Sequence, residues 1–367
     1  MTTEKSEQFE LEFYGEKELR WYQIAAITGL VGYLEEGSKR VLIVLPTGAG
    51  KTITIAASLS DVRVRRALGI PEDRPLRVLF AAHMNRLLTQ AEMTFAESNN
   101  VEIIPQSIFS SIPEGLEWDV TVLDEAHHEA CSTFQYHLEK LGDKPIIGLT
   151  ATPDRADGCL IKFDAIINPL TREQAVAEGF LAETYLNSII DTPAKDKVPV
   201  TKMIIDRYGH EFGQTIMFFK TKREVREVAE YLIEKSYSAV ALLDQSPAAL
   251  NIILDEFSEG KHQFLLNCNR ISEGIDVKGC TDVYAGRQFG SYPQLNQVIG
   301  RAARPDGDCN VWELINPLSS TNLDTTVVVG TPKRHRLISK RSTHWLEREF
   351  NYVSHRNEMW NGTARIG

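Results

Sequence analysis

The chain has 367 residues, 43% of them hydrophobic and 25% charged, with a formal net charge of −10. This is the composition of a globular protein of about two domains, and no apolar run approaches the ~20 residues that span a bilayer, so no membrane partner is expected. The acidic balance argues against a protein that coats nucleic acid over its whole surface, yet leaves room for a local binding cleft. The opening segment, MTTEKSEQFELEFYGEKE, is acidic and has neither secretory nor transit-peptide character. Cys131, Cys159, Cys268, Cys280 and Cys309 are odd in number and form no C-x-x-C pair. A zinc ribbon or disulfide framework is therefore not expected, and the setting is read as reduced, intracellular and cytoplasmic.

In chain order, the first strong signal is RVLIVL (40–45), a short apolar run suited to a buried parallel strand. PTGAG supplies a turn, and KTITIAASLSDVRVRRAL follows with helical spacing. Strand, glycine turn and helix together form the context of a phosphate-binding loop. Backbone N–H groups over Thr47, Gly48, Ala49, Gly50, Lys51 and Thr52 would cradle phosphates at a helix N-terminus. Lys51 would reach the β- and γ-phosphates and Thr52 would hold Mg²⁺. One position departs from the full G-x-x-x-x-G-K-T pattern: Leu45 stands where the leading glycine belongs.

Further apolar strands are expected at 77–81, 101–104 and 120–123. The last ends in Asp124-Glu125, 73 residues after Lys51. A carboxylate at the carboxyl end of a parallel strand points into the ligand crevice. Asp124 would hold Mg²⁺, and Glu125 would act on the attacking water as general base. A strand at 145–149 completes this set, and a second set is expected near 215–219, 239–243, 264–267, 282–285 and 311–315. DTPAKDKVPV (191–200) reads as a polar connector. From Ser319 onward the charge turns to a net +4, with Trp345, Phe350, Tyr352 and Trp360 interleaved. That composition suits phosphate contact with base stacking; it equally suits a helical tail packed on the core.

These motifs resemble superfamily 2 helicases. D-E-A-H (124–127) is similar to their motif II, LPTGAGKT (45–52) to motif I and GLTATP (148–153) to motif III. IMFFKTKREVREVAEYL (216–232), LLNCNRISEGIDV (265–277) and YPQLNQVIGRAARP (292–305) resemble motifs IV, V and VI. LRWYQ (19–23) and NPLTREQAVAEGFL (168–181) are similar to segments of the branch that holds restriction-enzyme motor subunits, XPB-type repair helicases and phage UvsW-type helicases. The resemblance implies an α/β protein of two tandem RecA-like, doubly wound parallel-sheet domains, at 1–180 and 181–318. Residues 319–367 would be a short, basic, aromatic and helical C-terminal extension.

By the same resemblance, Gln23 would contact adenine with Arg20 beside it, and Gly274 and Asp276 would meet the ribose side. His127 would couple motifs II and VI, Thr150 and Thr152 would link nucleotide to nucleic acid, and Arg301 and Arg304 would act as arginine fingers, with Gln297 on the helix face of Arg301. Arg86, Gln106, Ser107 and Asn269 would contact the nucleic-acid backbone, with Cys268 at the place where motif V usually carries threonine. The expected cofactors are ATP and Mg²⁺. The expected activity is ATP-dependent DNA translocation or unwinding at forks and junctions, with DNA favoured over RNA and a protein partner supplying target recognition. The alternatives are an RNA helicase and an ATP-gated nucleic-acid clamp.

Overall fold

The computed structural model describes residues 13–83, 85–98, 100–126, 144–151, 163–190, 196–268, 277, 279–289, 292–300, 302, 307–316, 323, 325–341 and 344–350. The chain divides into two compact units, Met1–Thr171 and Arg172–Gly367.

In the first unit a small hairpin, β1 (Phe13–Tyr14) and β2 (Lys17–Glu18), precedes α1 (Trp21–Glu35). β3 (Arg40–Val44) leads into α2 (Lys51–Ser60) and α3 (Val62–Ala67), and β4 (Leu76–Ala82) into α4 (Asn85–Phe95). β5 (Val101–Ser107), β6 (Val120–Leu123), β7 (Ile146–Thr150) and β8 (Ala165–Ile167) follow. β3 to β8 form one parallel sheet in the order β5-β4-β6-β7-β3-β8. Val41, Leu42, Ile43 and Val122 are fully buried within it, because helices and loops cover both faces of such a sheet. All five strands expected from the sequence are present. β8 is not foreseen, being three residues long with Ile166 half exposed.

The second unit runs α5 (Arg172–Ala177), β9 (Thr184–Ile190), α6 (Val198–Tyr208), β10 (Thr215–Phe218), α7 (Lys222–Glu234), β11 (Ala239–Leu242) and α8 (Pro247–Ser258). β12 (Phe264–Asn267), β13 (Asp282–Ala285), α9 (Tyr292–Ile299), β14 (Cys309–Ile315) and α10 (Thr326–Val329) come next. Helix starts follow local chemistry. Thr221 and Glu224 close a capping box on α7, and Ser246 caps α8 ahead of Pro247. The end of the expected polar connector is itself helical, since Val198 opens α6.

Among the described residues of the C-terminal extension, the four-residue α10 is followed by strands and not by further helix. Arg334–Arg341 and His344–Phe350 form β15 and β16, an antiparallel hairpin that extends the sheet to β11-β12-β10-β13-β14-β9-β15-β16. β15 pairs parallel with β9, whose free edge would otherwise leave a row of backbone groups without partners. The period is two rather than 3.6: Arg336 and Ile338 are buried on one face, with Trp345 beside them. Arg336 forks onto Glu211 (2.7 and 3.3 Å) and donates to Asn187 (2.9 Å), lying 5.1 Å from the rings of both Tyr208 and Trp312. Trp345 packs edge-on to Tyr208 at 5.9 Å, while Lys333 pairs with Glu183. Lys333, Arg336 and Trp345 are thus engaged with the sheet, while Tyr352 and Trp360 lie outside the described residues.

Two predictions follow from these burials. Arg336→Ala leaves Glu211 and Asn187 without their donor and should lower unfolding free energy by on the order of 3 kcal/mol, measured by urea titration; Arg336→Lys should recover only part, since an ammonium lacks the fork. Asp282, at the start of β13, is 1% exposed and accepts hydrogen bonds from Thr281 (2.7 Å) and Gly213 (3.2 Å). Burial pushes its carboxyl up to about 6. A raised carboxyl favours the folded state below its unfolded value and loses that contribution as pH rises through about 6. The stability of the native chain minus that of Asp282→Asn should therefore fall by on the order of 3 kcal/mol between pH 4 and 7. A flat difference across that range would contradict the assignment.

Candidate active site

Parallel strands deliver their following loops to one edge of the sheet, and in the first unit that edge collects the candidate residues. After β3 the chain does not turn at once. Leu45 continues the ladder, its N–H donating to Thr150 at 3.0 Å, and its side chain is wholly buried. This is why leucine serves where a glycine was expected: the backbone there is still strand-like. The turn comes later, at Gly48 (φ 88°) and Gly50 (φ 81°), both in the left-handed region that favours glycine. Gly50 then caps α2, which begins at Lys51, so Lys51 and Thr52 lie at a helix N-terminus with its positive dipole end and free N–H groups.

The turn is fastened from below by α1. The Tyr22 hydroxyl donates to the Ala49 carbonyl at 2.9 Å. The Gln23 amide donates to Thr54 Oγ1 (3.2 Å), which donates in turn to the Gly50 carbonyl (3.0 Å). Gln23 Oε1 accepts the Arg20 N–H at 2.9 Å, closing a capping box at the start of α1. The Arg20 guanidinium reaches Tyr22 Oη at 3.1 Å. The sequence reading singled out Gln23 and Arg20 but missed Tyr22 and Thr54. Their signal was faint: a hydroxyl adjacent to Gln23 and another one helical turn into α2.

β6 ends at Leu123 and delivers Asp124 and Glu125. Asp124 N–H donates to the Ala81 carbonyl (3.0 Å), and its Oδ1 accepts the Glu125 N–H (3.0 Å). Glu125 sits at φ 51°, one of few non-glycine residues held left-handed, a strain of the kind found at functional sites. Its carboxylate approaches the Lys51 ammonium at 3.9 Å, both side chains being nearly buried. Burial and the Glu125 charge raise the Asp124 carboxyl above its ordinary range, while Lys51 and His83 act in the opposite direction. Two adjacent carboxylates beside one lysine, a hydroxyl at Thr52 and the buried Thr47 hydroxyl, which has no partner among the described residues, form a donor set that suits a magnesium nucleotide. Among the described residues no cluster of three His, Cys, Asp or Glu would hold a metal by side chains alone.

The remaining candidates are placed unevenly. Gln106 Nε2 donates to the carbonyls of Ser107 (2.9 Å) and Ser110 (3.1 Å), and Ser107 Oγ accepts the Phe109 N–H (3.3 Å). Both amide hydrogens of Gln106 thus staple the loop after β5 rather than point outward. Arg86 lies in the first turn of α4. Gln297 is buried in α9, its Oε1 without a hydrogen-bond partner among the described residues. Cys268, just past β12, donates its thiol to the Lys220 carbonyl at 3.1 Å. His127, Thr152, Asn269, Gly274, Asp276, Arg301 and Arg304 lie outside the described residues.

Comparison with known proteins bears on the family and the fold. Residues 16–111 match the type III restriction enzyme res-subunit family, and residues 197–306 match the helicase conserved C-terminal domain. IRC3 of Saccharomyces cerevisiae, a helicase-family protein, is 21% identical over 86% of this chain and 54% of its own length. The DNA 3′-5′ translocase XPB2 of Sulfurisphaera tokodaii is 28% identical over 46% of this chain and 38% of its own. The structure of the ATP-dependent type ISP restriction-modification enzyme LlaBIII bound to DNA aligns with a TM-score of 0.62 and 16% identity, covering 85% of this chain and 28% of that one. The chain has a superfamily 2 helicase core that resembles the restriction-motor and XPB-like branch. That core is two RecA-like domains and belongs to a class of ATP-hydrolysing enzymes. The chain spans about half the length of the curated relatives it matches. No helix among the described residues is long and apolar enough to cross a membrane.

The position of Leu45 generates a sharp test. Leu45→Gly restores the full loop signature, yet it should destabilise the protein by about 3 kcal/mol through the cavity it leaves. Nucleotide affinity should not improve, read by fluorescent-nucleotide titration beside a thermal melt.

Proposed function

We propose that this chain is the ATP-driven motor core of a DNA translocase or helicase. The observation that carries the reading is the close approach of Lys51 and Glu125 beside Asp124, over a left-handed glycine turn that Tyr22 and Gln23 hold in place. Glu125 would accept the proton of the water that attacks the γ-phosphorus, as the bond to the ADP oxygen breaks. Lys51 and the N–H groups of the turn would hold the phosphate oxygens. Mg²⁺, held by Thr52 and Asp124, would supply charge neutralisation across the phosphates. Arg301 and Arg304 would stabilise the charge that develops on the γ-phosphate, and Gln297 would align them. Gln23 retains one amide hydrogen beyond its bond to Thr54, which suits contact with an adenine edge.

DNA is favoured over RNA because the branch this core resembles includes a protein named as a DNA translocase and a restriction enzyme solved on DNA. Forks and junctions are the proposed substrates, and a protein partner would supply target recognition. A cytoplasmic setting fits the free thiols of Cys268, Cys280 and Cys309 among the described residues.

Glu125→Gln should retain ATP binding while ATP turnover falls to background, because an amide cannot take the water's proton. The measurement is phosphate release against single-stranded, duplex, forked and Holliday-junction DNA and matched RNA, beside a strand-displacement assay. Turnover in Glu125→Gln near that of the native chain would remove the assignment of the base. Stimulation by RNA alone would remove the choice of DNA.

A further inference from the structure

The carboxyl edge of the second sheet carries a cleft that the proposed nucleotide chemistry leaves unused. It is open to solvent, has a volume of about 40 Å³, and is lined by Ala285, Arg287, Phe289, Leu295, Glu313 and Thr325 among others. β13 and β14 end here, at the kind of edge where parallel sheets bind ligands.

The two charged side chains in this lining are treated differently by the fold. Glu313 is held in place: Oε1 accepts from Ser188 Oγ at 2.6 Å, and Oε2 accepts from the Thr325 hydroxyl. Ser188 spends its hydrogen on Glu313, so it accepts from His335 Nε2, 2.8 Å away. Arg287 has no such company. Its Nε is buried without a hydrogen-bond partner, and among the described residues no carboxylate forms an ion pair with it. Its guanidinium carbon stands 4.9 Å from the centre of the Phe289 ring, which fixes the side chain without neutralising it. The chain path is fixed as well. A Cβ on Gly286 would stand 2.8 Å from a Phe219 ring atom and 2.9 Å from the Phe218 carbonyl, so the backbone runs flush against β10 just before Arg287.

A guanidinium keeps its charge, and this half-buried one would gain from an anion beside it. Its fork matches two oxygens of a phosphate, and the apolar wall of Phe289 and Leu295 suits the face of a sugar. Cys268, just past β12, is near enough to act on the Arg287 charge. We infer that Arg287 anchors one backbone phosphodiester of bound single-stranded DNA in the cleft at the ends of β13 and β14. This inference rests on the reading of the chain as a DNA motor.

The test is salt-dependent binding of a labelled oligothymidylate by the full chain. Arg287→Ala should weaken binding and reduce the slope of log K against log[salt] by about 0.7, the contribution of one single-strand phosphate, with Arg287→Lys keeping the slope. A melt of each variant checks folding, and Arg287→Gln provides the same comparison should the alanine variant not fold. Unchanged affinity and slope would overturn the inference and point to a protein carboxylate as the partner. Protection of the native chain by inorganic phosphate as strong as by the oligonucleotide would overturn it too, in favour of a free anion. A native chain that binds no oligonucleotide at all would instead overturn the motor reading on which it stands.

Discussion

Every strand of the first sheet runs the same way, and from that single polarity the placement of the chemistry follows. The loops after β3, β4, β5 and β6 must all emerge at one edge. Lys51 and Glu125, 74 residues apart, meet at 3.9 Å because their strands are two positions apart in the sheet order. Neither residue is positioned by its own neighbourhood alone. The register of β3 on β7, and of β7 on β6, sets the distance between a helix N-terminus and a strand-end carboxylate. A slip of one residue would turn the side chains of a strand to the opposite face.

Much of this was legible in the sequence, for a local reason. A buried parallel strand announces itself by a run of Val, Ile and Leu, and a phosphate turn by its glycines. Gly48 and Gly50 do occupy the left-handed region, and Asp124-Glu125 does follow a wholly buried strand. Leu45 was legible as an exception but not as an explanation. That required the bond to Thr150, a contact across 105 positions that no local pattern encodes. Tyr22 escaped notice for the same reason. Its hydroxyl acts on Ala49, 27 residues on, and a tyrosine in an apolar helix reads as core. Gln106 shows the converse: a polar side chain suited to gripping a ligand is instead occupied in tying its own loop.

The C-terminal hairpin illustrates a further limit. Arginines mixed with aromatics suggest a helix or a nucleic-acid grip when read alone. What decides the matter is the available edge of β9, which lies 149 residues earlier in register. β9 itself hides its identity, since TYLNSII buries Asn187 and Ser188 where a strand of the core would normally carry aliphatic residues. Both polar groups find partners only after β14 and β15 have assembled around them: Asn187 with Arg336, Ser188 with Glu313 and His335. Such a strand makes sense only as part of the finished sheet.

The ends of the two sheets share a property with a practical bearing. In the first, β5 carries Pro105, which has no N–H to offer, and β8 is three residues long. In the second, β11 is four residues long, and β16 presents Glu347, Arg348 and Glu349 in succession. Among the described residues, then, each outer strand is interrupted, brief or charged, and none offers a long apolar template to a second copy. Concentrated solutions of the chain are accordingly guarded against strand-to-strand fusion, the route by which large open sheets turn into fibrils.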